Sequence, residues 1–101
     1  MMNIKMNSLH FTADQRLIDF VNKKVSKLDT FFEGIIGAEV SLKVEKPETA
    51  NNKVSEIKIV LPAADDLFAR KQADTFEEAT DLAVDAIRSQ LKKHKEKLRS
   101  K

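Results

Sequence analysis

The sequence predicts an α+β fold, a two-layer β-α-β-β-β-α sandwich with two helices on one face of a four-stranded mixed sheet. Three observations lead to this prediction. The chain has 101 residues, which suits one small domain. Two segments space their apolar residues as helices do, and three others alternate apolar and polar residues as strands do, with a further strand expected after them. Both glycines and both prolines fall at or between these segments.

The first two predicted elements are a strand and a helix. Residues 3–11 place apolar side chains in rough alternation, which favours a strand. Thr12 and Asp14 are both suitable N-caps for the helix that follows. The apolar stripe of this helix consists of Leu17, Ile18, Val21, Val25 and Leu28, with Phe31 and Phe32 at its end.

Three strands and a second helix complete the order. Alternation predicts strands at residues 38–46 and 54–61. Residues 62–66 break the second of these strands, and residues 67–73 are expected to return as the next one. The first β-α-β unit is expected to be a right-handed crossover between parallel strands, and the later strands to pair as hairpins. Thr75 is placed to cap the last helix, with Glu78 in capping-box position. The apolar stripe of that helix consists of Phe76, Thr80, Ala83, Ile87, Leu91, His94 and Leu98.

Charge is distributed unevenly along a chain that is nearly neutral overall. The sum of 18 Lys+Arg and 16 Asp+Glu is a formal +2. From Arg88 to the C-terminus there are seven positive charges and one negative charge, or +6, so residues 1–87 carry 11 against 15, or −4. The last helix, at about 24 residues, is about 36 Å long, so we expect its basic end to project beyond the sheet.

Several classes of function are excluded or disfavoured by what the sequence lacks. Without cysteine there is no disulfide, thiolate metal site or cysteine nucleophile. His10 and His94 lack metal-ligand spacing, and no glycine-rich phosphate loop or GxSxG motif occurs. No apolar run reaches the roughly 18 residues of a membrane span, and the N-terminus lacks a signal peptide. We therefore expect a cytoplasmic, non-enzymatic protein without cofactor, metal, small-molecule substrate or membrane partner.

The basic end of the last helix indicates a polyanionic partner. One of its flanks carries Arg88, Lys92, Lys95 and Arg99, and the other carries Lys93 and Lys97. Like charges at this spacing repel by about 0.2–0.5 kcal/mol per pair, and Glu96 is the one acidic residue nearby. A merely solvated helix end is the alternative, but a polyanion would remove the repulsion by neutralisation and counterion release.

The first helix adds a second basic cluster, which consists of Arg16, Lys23, Lys24 and Lys27. If the two helices lie side by side, both clusters form one surface that suits the phosphate backbone of RNA. The six aromatic residues are all Phe and mostly occupy core-like positions, so stacking on bases is not indicated. Recognition of folded RNA by shape and phosphate contacts is the expectation.

Three segments resemble a known family. Residues 20–28 with Phe31 and Phe32, then residues 40–46, then residues 81–95 resemble the ribosome hibernation-promoting factor family, which includes the ribosome-associated inhibitor or sigma-54 modulation protein. The similarity is to the short form, without the C-terminal domain that dimerises ribosomes in long forms. It implies one ribosome-binding domain over residues 1–101, with a fold like that of double-stranded RNA-binding domains.

The resemblance also implies a function. Family members bind the 16S rRNA of the small ribosomal subunit near the mRNA and tRNA sites, which blocks translation and stabilises idle ribosomes in stationary phase. The RNA-binding residues it implies here are Lys23, Lys24, Lys27, Arg88, Lys92, Lys93 and Lys95. Many relatives are basic where this chain has Ile18, Ala86 and Ser89. Arg16 and Arg88 are the neighbouring residues that would compensate, on somewhat different faces of the helices.

Two other functions stay open at this point. A general double-stranded RNA-binding module would use the same basic surface on free RNA. A protein-interaction module would instead dock its basic helix on an acidic partner.

Overall fold

The computed structural model describes residues 3–9, 12–46, 50–62 and 64–99, without the side chains of Leu9, Leu98 and Arg99. Its elements, in chain order, are β1 (Asn3–Leu9), α1 (Gln15–Phe31), β2 (Gly37–Val44), β3 (Lys53–Val60), β4 (Leu67–Ala73) and α2 (Phe76–Arg99). This order confirms the β-α-β-β-β-α prediction.

The ends of two predicted strands need comment. The predicted end of β1 at residues 10–11, with His10, lies outside the described residues. The predicted end of β2 is two residues too late, because the chain leaves the extended conformation at Lys46, where φ is 51°.

The four strands form one mixed sheet in the order β1-β2-β3-β4. β1 pairs with β2 in parallel, with Met6 opposite Val40. β2, β3 and β4 pair antiparallel, with Val40 opposite Ile57 and Ile57 opposite Ala69. These four residues form a row across the sheet on the face that packs against the helices. The predicted parallel first pair and the antiparallel later strands are both confirmed.

Side-chain caps define where the two helices begin. Of the two possible caps of α1, Asp14 is the one used, because its Oδ1 accepts the backbone N–H of Leu17 at 2.9 Å. Thr75 caps α2 as predicted, and its Oγ1 accepts the N–H of Glu78 at 3.1 Å. After α1, Gly34 turns the chain toward β2 with φ +101°, a conformation that strongly favours glycine.

The core lies between the helices and the sheet. Its fully or nearly buried members include Leu17, Val21, Val25 and Leu28 of α1, Val40, Leu42, Ile57 and Ile59 of the sheet, and Ala83, Ile87 and Leu91 of α2. Ile18, Phe31 and Phe32, which the sequence placed in the stripe of α1, are only half-buried. Inside this core the Thr80 hydroxyl donates to the Ser55 hydroxyl at 3.2 Å, and both residues are 0% exposed.

The end of α2 extends past the core. Among the described side chains that follow Leu91 in this helix, none is buried. The molecule measures 50 × 23 × 18 Å, which agrees with the predicted projection of a helix about 36 Å long. Neither helix in the described chain has the length and hydropathy required to cross a membrane.

The opposite face of the sheet, which we call the ion-paired face, neutralises its own charges. Each of three cations contacts two carboxylates there. Lys43 contacts Glu45 and Glu56, both at 3.4 Å; Lys58 contacts Glu39 at 3.7 Å and Asp66 at 3.5 Å; Arg70 contacts Glu45 at 2.7 Å and Glu56 at 3.5 Å.

Candidate nucleic-acid interface

The two helices lie side by side in contact and leave a groove of about 340 Å³ between them, which we call the interhelical groove. Its lining residues are Lys24, Lys27, Asp81, Val84, Asp85 and Arg88. Residues three or four apart share one side of a helix, so each helix turns a single flank to the groove. The structure thereby brings together three of the predicted RNA-binding residues, Lys24, Lys27 and Arg88.

Two of these three cations are paired with carboxylates inside the groove. Lys24 Nζ lies 3.2 Å from Asp81 Oδ1, and Arg88 Nη1 lies 3.5 Å from Asp85 Oδ1. Lys24 also lies over the Phe20 ring, with 5.5 Å between Nζ and the ring centroid. The groove therefore holds three cations and two anions. Asp81 and Asp85 were not among the site residues predicted from the sequence, although their spacing from Arg88 places them on the same flank of α2.

A second depression, of about 360 Å³, continues the basic strip along α2. It is lined by Phe31, Lys92, Lys95 and Glu96. Lys95 Nζ donates to the Phe31 carbonyl at 3.2 Å and lies 4.8 Å from the centroid of the Phe31 ring. A helix ends in carbonyls without partners and in partial negative charge, so Lys95 stabilises the C-terminus of α1. Its ammonium has three donors, which leaves others for a ligand.

The remaining predicted RNA-binding residues lie outside both depressions. Lys23 is exposed on α1. Lys93 is exposed on the flank of α2 that faces β4, the side on which Gln90 Nε2 donates to the Phe68 carbonyl at 2.9 Å. Lys24, Lys27, Arg88, Lys92 and Lys95 thus form one basic strip along the boundary between the helices. We call these five residues the basic strip.

Arg16 and Arg88 lie on different faces of their helices from two of the positions where relatives are basic, as expected from their neighbouring places in the sequence. Residues two apart are about 200° apart around a helix, so Arg16 and Ile18 point to opposite sides of α1. Arg88 is separated in the same way from Ala86, which packs against the core. The two arginines therefore put positive charge on a different side of each helix from Ile18 and Ala86.

The described residues hold little that suggests chemistry beyond ion pairing. The His94 ring packs on the Phe32 ring, with 5.4 Å between centroids and 38° between planes. Across the described ranges, no group of three or more histidine or acidic side chains is arranged to hold a metal ion. The geometry supports binding of an anionic polymer along the basic strip.

Comparison with known proteins gives consistent relatives. The model of the family described as sigma 54 modulation protein / S30EA ribosomal protein matches residues 4–99. The ribosome hibernation promoting factor of Pseudomonas putida is 31% identical over 99 residues, which cover 98% of this chain and 92% of that protein. The crystal structure of the N-terminal domain of Thermus thermophilus Protein Y matches with a TM-score of 0.77 and 28% sequence identity. The match covers 92% of this chain and 99% of that domain. A ribosomal subunit interface protein from Coxiella burnetii shares the fold, with a TM-score of 0.81 at 20% identity over 94% of this chain and 98% of its own.

Proposed function

The chain belongs to the sigma 54 modulation protein / S30EA ribosomal protein family, and on that premise we propose that it is a ribosome hibernation factor. It binds the 16S rRNA of the small subunit near the mRNA and tRNA sites, in the cytoplasm. There it inhibits translation and stabilises idle ribosomes in stationary phase. It performs no catalysis.

The observation that carries this proposal is the basic strip on the helical side of the molecule. Lys27 and Lys92 are exposed, and neither forms an ion pair with any residue that the structure describes. On the ion-paired face, by contrast, Lys43, Lys58 and Arg70 are each occupied by two carboxylates. A phosphate backbone is therefore attracted to the helices and not to the open side of the sheet.

The environment of the aromatic residues supports recognition through phosphates and shape. Phe20 and Phe31, the rings nearest the basic strip, are half-buried and contact Lys24 and Lys95. Phe68 is 54% exposed, but its strand position places it on the ion-paired face. No ring among the described residues lies exposed along the strip for stacking on single-stranded bases. Folded ribosomal RNA, which presents fixed phosphates, is the ligand that fits.

Inhibition follows from occupied space. The basic strip lies on the helical side of the molecule, so this side can enter a cleft in folded RNA while the sheet stays outside. Ion pairs with phosphates hold it there, and the bound volume excludes mRNA and tRNA from the same site. The reaction is a reversible association in which no covalent bond forms or breaks.

Co-sedimentation with ribosomes in sucrose gradients at several salt concentrations tests the proposal. The double variant Lys27→Glu/Lys92→Glu removes two phosphate contacts, each worth about eightfold in affinity at 0.1 M salt. We expect at least about a 60-fold loss of affinity and a shallower salt dependence. The matched control, Lys5→Glu/Lys71→Glu, makes the same charge change at exposed sheet residues and should bind as the unsubstituted chain does.

Two results would contradict the proposal. One is a chain that stays at the top of the gradient in low salt, and the other is equal loss of binding in the variant and its control. A competition experiment addresses the alternative function. If free duplex RNA displaces the protein from ribosomes at equal phosphate concentration, the chain is a general double-stranded RNA-binding module.

A further inference from the structure

The basic strip contains two kinds of cation. Lys27 and Lys92 form no ion pair with the described part of the chain, so a phosphate reaches them without displacing anything. Lys24 and Arg88 already face Asp81 and Asp85, at 3.2 Å and 3.5 Å. A phosphate that approaches either of these two cations meets a carboxylate of its own sign.

The two carboxylates are accessible to a ligand. The side chains of Asp81 and Asp85 are 49% and 69% exposed, and both line the interhelical groove. An ionised carboxylate only accepts hydrogen bonds, so a bare phosphate, which is also an acceptor, cannot satisfy it. RNA also presents donors, namely ribose 2′-hydroxyls and the amino groups of bases. A ligand that places such donors in the groove satisfies the cations and the carboxylates together.

From this arrangement, and resting on the proposed function, we propose that Asp81 and Asp85 are specificity-determining residues. They make Lys24 and Arg88 less available to a nucleic acid that brings only phosphates to the groove. They admit folded RNA that brings phosphates and hydrogen-bond donors into the interhelical groove at the same time. The carboxylates thus reduce capture by polyanions that bring only phosphates to the groove, without reducing affinity for the cognate subunit.

The test compares two ligands for the isosteric variants Asp81→Asn, Asp85→Asn and the double variant. One ligand is a DNA duplex of about 16 base pairs, which presents regularly spaced phosphates but no ribose 2′-hydroxyls. The other is the purified small ribosomal subunit. Asp19→Asn is the matched control, because it makes the same charge change on the exposed surface of α1, where Asp19 accepts from Gln15 Nε2.

Each freed cation adds one phosphate contact with the duplex. Duplex affinity at 0.1 M salt should rise about eightfold per substitution and about 60-fold in the double variant. The slope of log K against log salt should steepen by about 0.9 per substitution. Affinity for the small subunit should change by less than about threefold, because the gain at the cations is offset by loss of the carboxylate as an acceptor.

Three outcomes overturn the inference: duplex affinity that does not rise, equal rises for duplex and subunit, or the same rise in Asp19→Asn. The last would reveal a general effect of net charge. An unsubstituted chain that does not bind small subunits would overturn the proposed function itself, which distinguishes the two failures. Thermal melting of each variant confirms that the compared proteins are folded.

Discussion

The buried hydroxyl pair of Thr80 and Ser55 gives a sharp test of how the second helix is held on the sheet. Thr80 donates to Ser55 at 3.2 Å, and both residues are 0% exposed. Thr80→Val keeps the shape of the side chain but leaves the Ser55 hydroxyl buried with its donor removed. An unsatisfied buried hydroxyl costs about 1–3 kcal/mol, whereas removal of both partners is close to neutral.

The expected values form a double-mutant cycle. Thr80→Val should lower the free energy of unfolding by about 1–2 kcal/mol. In a chain of this size that lowers Tm by about 4–16 °C. Ser55→Ala should cost less, because a helical threonine can turn its hydroxyl to a backbone carbonyl one turn earlier. The double variant should be more stable than the sum of the single losses predicts, with a coupling of about 1 kcal/mol.

Urea unfolding followed by circular dichroism measures each member of the cycle. The slope m should be equal in all four proteins, so that midpoints report stability alone. Thr30→Val, on the exposed surface of α1, is the control and should stay within about 0.5 kcal/mol of the unsubstituted chain. Additive losses, with a coupling below about 0.5 kcal/mol, would refute the claim that the two hydroxyls depend on each other.

Three further predictions concern the ends of the helices. Asp14→Ala should cost about 1 kcal/mol in urea unfolding through loss of the α1 cap, and Asp14→Ser should restore most of it. Gly34→Ala should lower the free energy of unfolding by about 1 kcal/mol in the same assay, because the positive φ of this position disfavours a side chain. The cost is one of backbone conformation, since nothing lies within 4 Å of the added methyl group. An unchanged urea midpoint would argue against this conformation. Lys95→Ala should lower both the melting temperature and the affinity for RNA, whereas Lys92→Ala should lower only the affinity. Equal melting temperatures for the two variants would contradict the role of Lys95 at the end of α1.

The fold was largely predictable because its main signals are local. The period of Leu17, Val21, Val25 and Leu28 specifies both a helix and its buried face, and all four are buried. The error at the end of β2 has a local cause too. Alternation continues to Glu45, and apolar periodicity gives no sign of the positive φ of Lys46, where the chain turns.

The interface was predictable only in part, because its decisive contacts join distant segments. Periodicity places Arg88, Lys92 and Lys95 on one flank of α2. The pairing of Lys24 with Asp81 and the bond from Lys95 to the Phe31 carbonyl depend on how α2 packs against α1, across 57 and 64 residues of sequence. No pattern within either helix reports these contacts between helices, so from the sequence alone every lysine of the strip is expected to be equally available.

The elongated shape and the self-neutralised sheet together have a kinetic consequence. At 0.1 M salt, charges that lie more than about 10 Å apart are largely screened from one another. To a ligand at that distance, the positive and negative charges of the ion-paired face cancel. The far field of the molecule therefore comes mainly from one end of a 50 Å long body, where the projecting helix carries its lysines. A polyanion would orient the protein before contact, so that productive encounters occur end-on. Ionic strength would then change the rate of association as well as the equilibrium.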